Sequence, residues 1–300
     1  MGVLTSSLAV STSLNYSHHI KVFLAFCNSQ SFPVVFPFGQ YLIMSFLLKL
    51  HHDGKKHSTL MTYVSAIAFA HKVRGFADPT STFLFGKFMT GLKKLSANTT
   101  ARLQPITINM LTELIILVES LSVSEFEKML LKAIMSVMYH ACLRISEVGR
   151  SGKANHALAS RNVSFITKPP SLHPGKMRIT LTSFKHSKGP QTLEINGARD
   201  KRVCPVRLLY LFKSMRNHSS RTFFCHEGGQ PITRTYMMSR LRELVALSSF
   251  SHKKINTHSF RIGRTTDLVL KGGVSDAYIR HVGRWSSNAY LKYVRSIVSL

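Results

Sequence analysis

Apolar residues recur at helical spacing through the first hundred positions. Tyr16, Ile20, Phe23, Leu24 and Cys27 form one stripe, and Tyr41, Leu42, Phe46 and Leu47 form another. Residues three and four apart share a helix face, so each stripe predicts a helix with one buried side. Asp53-Gly54 interrupts the pattern. Ser58 and Thr59 then offer caps for a third helix carrying Met61, Val64, Ile67, Ala68 and His71, which Gly75 stops, and a fourth helix is expected from about Ser81 to Leu95. Four short helices, each apolar on one side, can bury those sides only against one another, which predicts a small bundle.

Between Ser96 and Pro105 the chain reads SANTTARLQP, small, polar and basic, with no periodic apolar face. This predicts a linker and a division into domains 1–100 and 101–300. Beyond it, Thr107 opens a helix with Leu111, Leu114, Ile115 and Val118, and a second helix is expected from about Ser124 through Met138 to Val148. Met177 to Phe184 (MRITLTSF) alternates polar and β-branched residues, Lys188-Gly189-Pro190 is turn chemistry, and Thr192 to Ile195 returns as a partner strand. Helices resume over Pro205–Met215, Arg234–Leu247, Ser259–Lys271 and Ser275–Val282. The expected fold class is mainly α with a small β-sheet: a helical N-terminal domain followed by a mixed α/β domain.

Charge narrows the function. Forty Lys+Arg against 13 Asp+Glu leave +27 at pH 7, and such an excess seeks a polyanion, either nucleic acid or an anionic membrane surface. The most apolar stretch, Ile20 to Leu50, is interrupted by Asn28, Ser29, Gln30, Pro33, Pro37, Gly39 and Gln40, so no bilayer-spanning segment is expected. The first residues, MGVLTSSLAVSTSLNYS, lack the charged start and solid apolar run of a secretory signal, and the expected location is intracellular. The four cysteines lie far apart with no CxxC pair, so neither a disulfide nor a structural metal is expected.

Cleaving a phosphodiester without a metal requires cations for the nonbridging oxygens, a proton donor for the leaving oxygen, and a nucleophile. The C-terminal half supplies all three. In chain order stand Arg144 within CLRISEV, Lys185 beside the hairpin turn, His258 and Arg261 within HSFR, Gly283-Arg284-Trp285, and the tyrosines Tyr290 and Tyr293.

This ordered set resembles the signature of the tyrosine recombinases, the phage integrases and their relatives, from about Thr107 to the C-terminus. The wording HSFRIG and GRWSSNAYLKYVR is especially similar to the recombinases of DIRS-like retrotransposons and Crypton-type elements. The helical N-terminal half resembles the family's core-binding, SAM-like domain. The resemblance implies that Arg144 and Arg261 grip the scissile phosphate and that His258 assists proton transfer. It implies that Lys185 protonates the departing 5′ oxygen, with Lys188 as its rival. Glu147 matches a supporting acid. Counting from Gly283 puts Arg284 where relatives have a histidine or tryptophan that packs on the phosphate, whereas the indole N–H favours Trp285. Tyr293 would be the nucleophile, with Tyr290 as rival.

The implied activity is site-specific DNA breaking and rejoining through a 3′-phosphotyrosine, in the integration of a mobile element. The implied partners are double-stranded DNA, held in a two-domain clamp, and further copies of the chain in a tetramer on DNA. No cofactor, metal, membrane or small-molecule substrate is expected, and in a eukaryote the location would be nuclear. Two other readings stay open: a domesticated DNA-binding protein that keeps the fold without turnover, and a type IB topoisomerase, which shares the chemistry.

Overall fold

The structure, a computed structural model, describes residues 7–96, 102–150, 156–167, 173–184, 189–216, 219–270 and 272–294. The chain divides into two compact units, Met1–Thr100 and Ala101–Leu300.

The first unit consists of α1 (Val10–Ser29), α2 (Gln40–His52), α3 (His57–Lys72) and α4 (Phe83–Leu95). Its core is aromatic: Phe23 meets Phe38 and Phe46 edge-on, with ring centroids 4.9 and 5.1 Å apart. Such pairs add about 0.5–1.5 kcal/mol each beyond their buried area. His71 is fully buried in the same core. Its Nε2 accepts the Phe38 N–H at 3.0 Å, and its Nδ1 lies 2.8 Å from the Ile67 carbonyl, so the ring is neutral with its proton on Nδ1. One expectation is corrected here. Helix α3 begins at His57 with Lys56 at the cap position and no side-chain cap, so Ser58 and Thr59 lie inside the first turn. At α4 the cap is Thr82, whose hydroxyl accepts the Phe85 N–H at 3.2 Å.

The second unit is built around α6 (Glu125–His140), which lies against α5 (Ile108–Leu117), α8 (Pro205–Met215) and α10 (His258–Leu270). Leu130, Leu131, Ile134, Val137 and Met138 of α6 are all buried; truncating any one to alanine costs about 2–5 kcal/mol. A three-stranded antiparallel sheet runs β1 (Val163–Ile166), β2 (Lys176–Leu181), β3 (Gln191–Asn196). Met177, Ile179 and Leu181 face the core, while Arg178 pairs with Glu194 and Thr180 with Thr192 on the outer face. Helices α9 (Arg234–Leu247) and α11 (Asp276–Gly283) and a 3-10 turn (Asn288–Tyr293) complete the unit.

Two further expectations are corrected. Helix α6 stops at His140 instead of continuing to Val148: Cys142 takes φ +48°, Arg144 is extended, and a separate four-residue helix, α7 (Ile145–Val148), follows. Strand β2 ends at Leu181, short of Phe184. Among the described residues no helix is long and apolar enough to cross a membrane.

Candidate active site

The turn that ends α6 creates the site. A residue at positive φ other than glycine is strained by about 1–3 kcal/mol, and here the distortion aims one carbonyl inward. The Cys142 oxygen accepts Arg261 Nη1 at 2.6 Å and Arg284 Nη2 at 2.7 Å, so two guanidiniums hang on a single peptide oxygen. Its two lone pairs are thereby used.

Arg144 follows at the start of α7. Its backbone N–H donates to Glu147 Oε2 at 2.8 Å and its Nη1 to Oε1 at 2.9 Å, and its side chain keeps 19% exposure. Glu147 is buried and also accepts Arg284 Nη2 at 2.7 Å. One carboxylate therefore orients the partly exposed Arg144 and neutralises the buried Arg284.

Arg261 and His258 lie one turn apart on the first turn of α10, a spacing that puts them on one face. Arg261 is fully buried; besides Cys142 it donates through Nη2 to the Gly283 carbonyl, and its Nε has no hydrogen-bond partner among the described residues. Its guanidinium lies 4.1 Å from the Trp285 ring centre and 5.8 Å from that of Tyr293. Burial, reinforced by Arg144 and Arg284, pushes its pKa down to about 10, which leaves it a cation at neutrality. The His258 ring centre is 5.2 Å from that of Tyr293. Burial and then the charges of Arg261 and Arg144 push His258 down to about 4, so it stands neutral and able to accept a proton.

The two tyrosines separate. Tyr293 is half-buried, with its ring flanked by His258, by Arg261 and by Trp285, the last at 5.3 Å. Tyr290 is buried with Leu268 and Ile279 in a small apolar cluster, and the Asp276 carboxylate beside it pushes its phenol above the ordinary value. Arg284 and Trp285 separate too. Arg284 is left-handed (φ 56°, ψ 50°), and its side chain turns inward to the carbonyls of Ala141, Cys142 and Val282 and to Glu147. Trp285 lies over Arg261. The indole can fold back there only because position 283 is glycine: a Cβ would stand 1.6 Å from Trp285 Cζ3.

The structure thus brings Arg144, Glu147, His258, Arg261, Trp285 and Tyr293 together, with Arg284 behind them; Lys185 and Lys188 lie outside the described residues. Beside Arg144 and Trp285 a cavity of about 760 Å³ opens, lined also by Gln191, Arg280 and His281. Gln191 Nε2 donates to the His281 carbonyl at 2.8 Å and ties the stem of the β2–β3 hairpin to α11. Gln191, Arg280 and the Cys142 carbonyl are not marked in the sequence. A hairpin-stem glutamine and a main-chain oxygen carry no motif, and cysteine carries no signal for positive φ. Arg144 lines the cavity, with the buried Arg261 cation, the neutral His258 imidazole and the Tyr293 phenol packed together behind Trp285; such a set can hold a phosphate ester, take a proton from the phenol, and direct its oxygen at phosphorus.

No family model matches the sequence, and no curated protein matches it. Solved structures do. A crystal structure of XerH site-specific recombinase bound to palindromic difH substrate, a post-cleavage complex, superposes with a TM-score of 0.66 at 12% identity, over 94% of this chain and 75% of that one. The Tn1549 transposon integrase in complex with circular intermediate DNA superposes with a TM-score of 0.61 at 14% identity, over 97% and 94%. A lambda integrase tetramer bound to a Holliday junction gives 0.64 at 12% identity, over 98% and 74%. The chain has the tyrosine-recombinase fold.

Proposed function

We propose that the protein is a site-specific DNA recombinase that cuts and rejoins strands through a bond between Tyr293 and a DNA phosphate. The observation that carries this reading is the packing of the Tyr293 ring against a neutral His258 and the buried Arg261 cation, with Arg144 beside them. A phenol is protonated at neutral pH, so attack needs a proton acceptor and a positive field, and this arrangement supplies both.

In the proposed step Tyr293 Oη bonds to phosphorus as its proton passes to His258. Arg144 holds the nonbridging oxygens directly, Arg261 joins it once the Cys142 and Gly283 carbonyls release its Nη groups, Trp285 donates its indole N–H to the phosphate, and the bond to the 5′ oxygen breaks. That oxygen takes a proton from Lys185, or from Lys188 three residues on. The phosphodiester energy stays in the 3′-phosphotyrosine, and the free 5′ hydroxyl of a second duplex attacks it to release Tyr293. No nucleotide hydrolysis is required. Residues 1–100 would serve as the core-binding domain and 101–300 as the catalytic domain, closing on the duplex as a clamp. Exchange between two duplexes calls for four protomers, an assembly like the lambda integrase tetramer. The wording of HSFRIG and GRWSSNAYLKYVR supports a role in integrating a mobile element, in the nucleus of a eukaryotic host.

Nicked suicide substrates built from the sequence flanking the gene test the proposal. The wild-type chain and Tyr290→Phe should form DNA-linked protein, and Tyr293→Phe should bind the same DNA without linking to it. Adducts that persist in Tyr293→Phe and vanish in Tyr290→Phe would move the nucleophile; adducts from none of the three would overturn the reading.

A further inference from the structure

The sheet has a second concave end. Gln191, paired with Leu181, lies at the end that borders the active-site cavity, whereas Gly175 and Gly197 adjoin the opposite end, where Lys176 pairs with Asn196. Six-residue strands separate these ends by about 17 Å. At the far end a cavity of about 560 Å³ opens against α8, well within the range of small-molecule sites.

Its lining combines two chemistries. Arg199, Lys201 and Arg207 bring three basic side chains, while Tyr210, Leu211 and Pro174 bring apolar surface. Arg207, Tyr210 and Leu211 share one face of α8 through their spacing of three and four. Among the described residues no carboxylate lies within ion-pairing distance of Arg199, Lys201 or Arg207, although Arg178 and Arg202 nearby are paired with Glu194 and Asp200. In a protein with 13 acidic residues, the acids at this end of the sheet are already engaged and these three cations are left to face the cavity. The cavity floor is fixed: Gly197 N–H donates to the Gly175 carbonyl at 2.8 Å, and buried Cys204 accepts the Ala198 N–H at 3.3 Å. The Tyr210 ring, 38% exposed, is held edge-on by Phe165 with centroids 5.5 Å apart.

We propose that this cavity is a binding site for a small anion carrying a flat ring, a nucleoside monophosphate, with the phosphate on Arg199, Lys201 and Arg207 and the base against Tyr210. Guanidinium forks match phosphate oxygens, and an aromatic face takes any base. The volume favours one nucleotide over a polymer. The site uses none of the residues of the active-site cavity and stands whether or not the chain recombines DNA.

Calorimetric titration of the full chain with adenosine 5′-monophosphate, with inorganic phosphate as the comparison, tests the proposal. The nucleotide should saturate one site per chain and bind more tightly than phosphate. Arg207→Ala and Tyr210→Ala should each weaken it by about tenfold, the loss of one charged hydrogen bond or one stacked base. Lys94→Ala, which removes the same charge from an exposed position in the first unit, should leave binding unchanged. Arg207 and Tyr210 are exposed enough that matching unfolding midpoints should confirm an intact fold. Nucleotide binding no tighter than phosphate, unaffected by Tyr210→Ala, or weakened as much by Lys94→Ala as by Arg207→Ala would overturn the site and reduce the effect to diffuse charge.

Discussion

Removing the Glu147 carboxylate should unbalance the whole site, and the structure sets the size of the effect. Glu147 accepts three donors: the Arg144 N–H, Arg144 Nη1 and Arg284 Nη2. Both Glu147 and Arg284 are almost entirely removed from solvent, with side chains 1% and 0% exposed. In Glu147→Leu, Arg284 keeps the carbonyls of Ala141, Cys142 and Val282 but loses its one anionic partner among the described residues. A buried charge stripped of its partner costs about 3–5 kcal/mol. In a unit of this size each kcal/mol moves the melting midpoint by about 2–4 °C, so the midpoint should fall by about 6–20 °C. The double variant Glu147→Leu/Arg284→Met removes both charges and fills the same space with apolar atoms. It should recover most of the loss, because an apolar replacement of a buried pair is often neutral. Thermal unfolding followed by far-ultraviolet circular dichroism measures the wild-type chain, Glu147→Leu, Arg284→Met and the double variant. A double variant that melts at the sum of the two single losses would show that Glu147 and Arg284 act independently and would refute the argument.

Four other outcomes are expected. His258 is lowered from its ordinary 6.5 to about 4. Below pH 6.5 the unfolded chain therefore takes up a proton that the folded ring refuses; stability falls between about 6.5 and 4, and His258→Gln should remove that part of the slope in urea titrations run across the range. Gly263→Ala places a Cβ 1.8 Å from the Ile106 backbone oxygen and should destabilise the second unit by more than about 3 kcal/mol, measurable as a lowered urea midpoint. Gly283→Ala should spare folding more but displace Trp285 and lower adduct yield on the suicide substrate. The logarithm of the DNA-binding constant should fall linearly with the logarithm of salt concentration, and Arg144→Ala should reduce that slope by about one in filter binding.

Much of this architecture was legible in the sequence where local chemistry and tertiary demand agree. Pro205 at the first helical position and Thr233 as a capping hydroxyl mark the starts of α8 and α9, and both helices span the expected residues. Strand β1 was not legible, since VSFI is too short to display a period and is defined by pairing with β2. The end of α6 was misread because Cys142, Leu143 and Val148 continue an apolar pattern. What ends the helix is the convergence of Arg261 and Arg284 on the Cys142 carbonyl, which comes from residues more than a hundred positions away. The choice between Arg284 and Trp285 was equally hidden: counting from Gly283 favours the arginine, and only its left-handed backbone turns it inward and hands the outer position to the indole.

That arrangement gives the molecule a built-in optical reporter. Trp285 is the chain's one tryptophan, and it rests on the Arg261 guanidinium within van der Waals range of the site's phenol. Intrinsic fluorescence excited at the red edge of protein absorption therefore comes from a single known place, with no background from elsewhere in the chain. Arrival of a polyanion in the cavity that Arg144 and Trp285 line, or motion of Tyr293, should register as a change in its emission without any attached label.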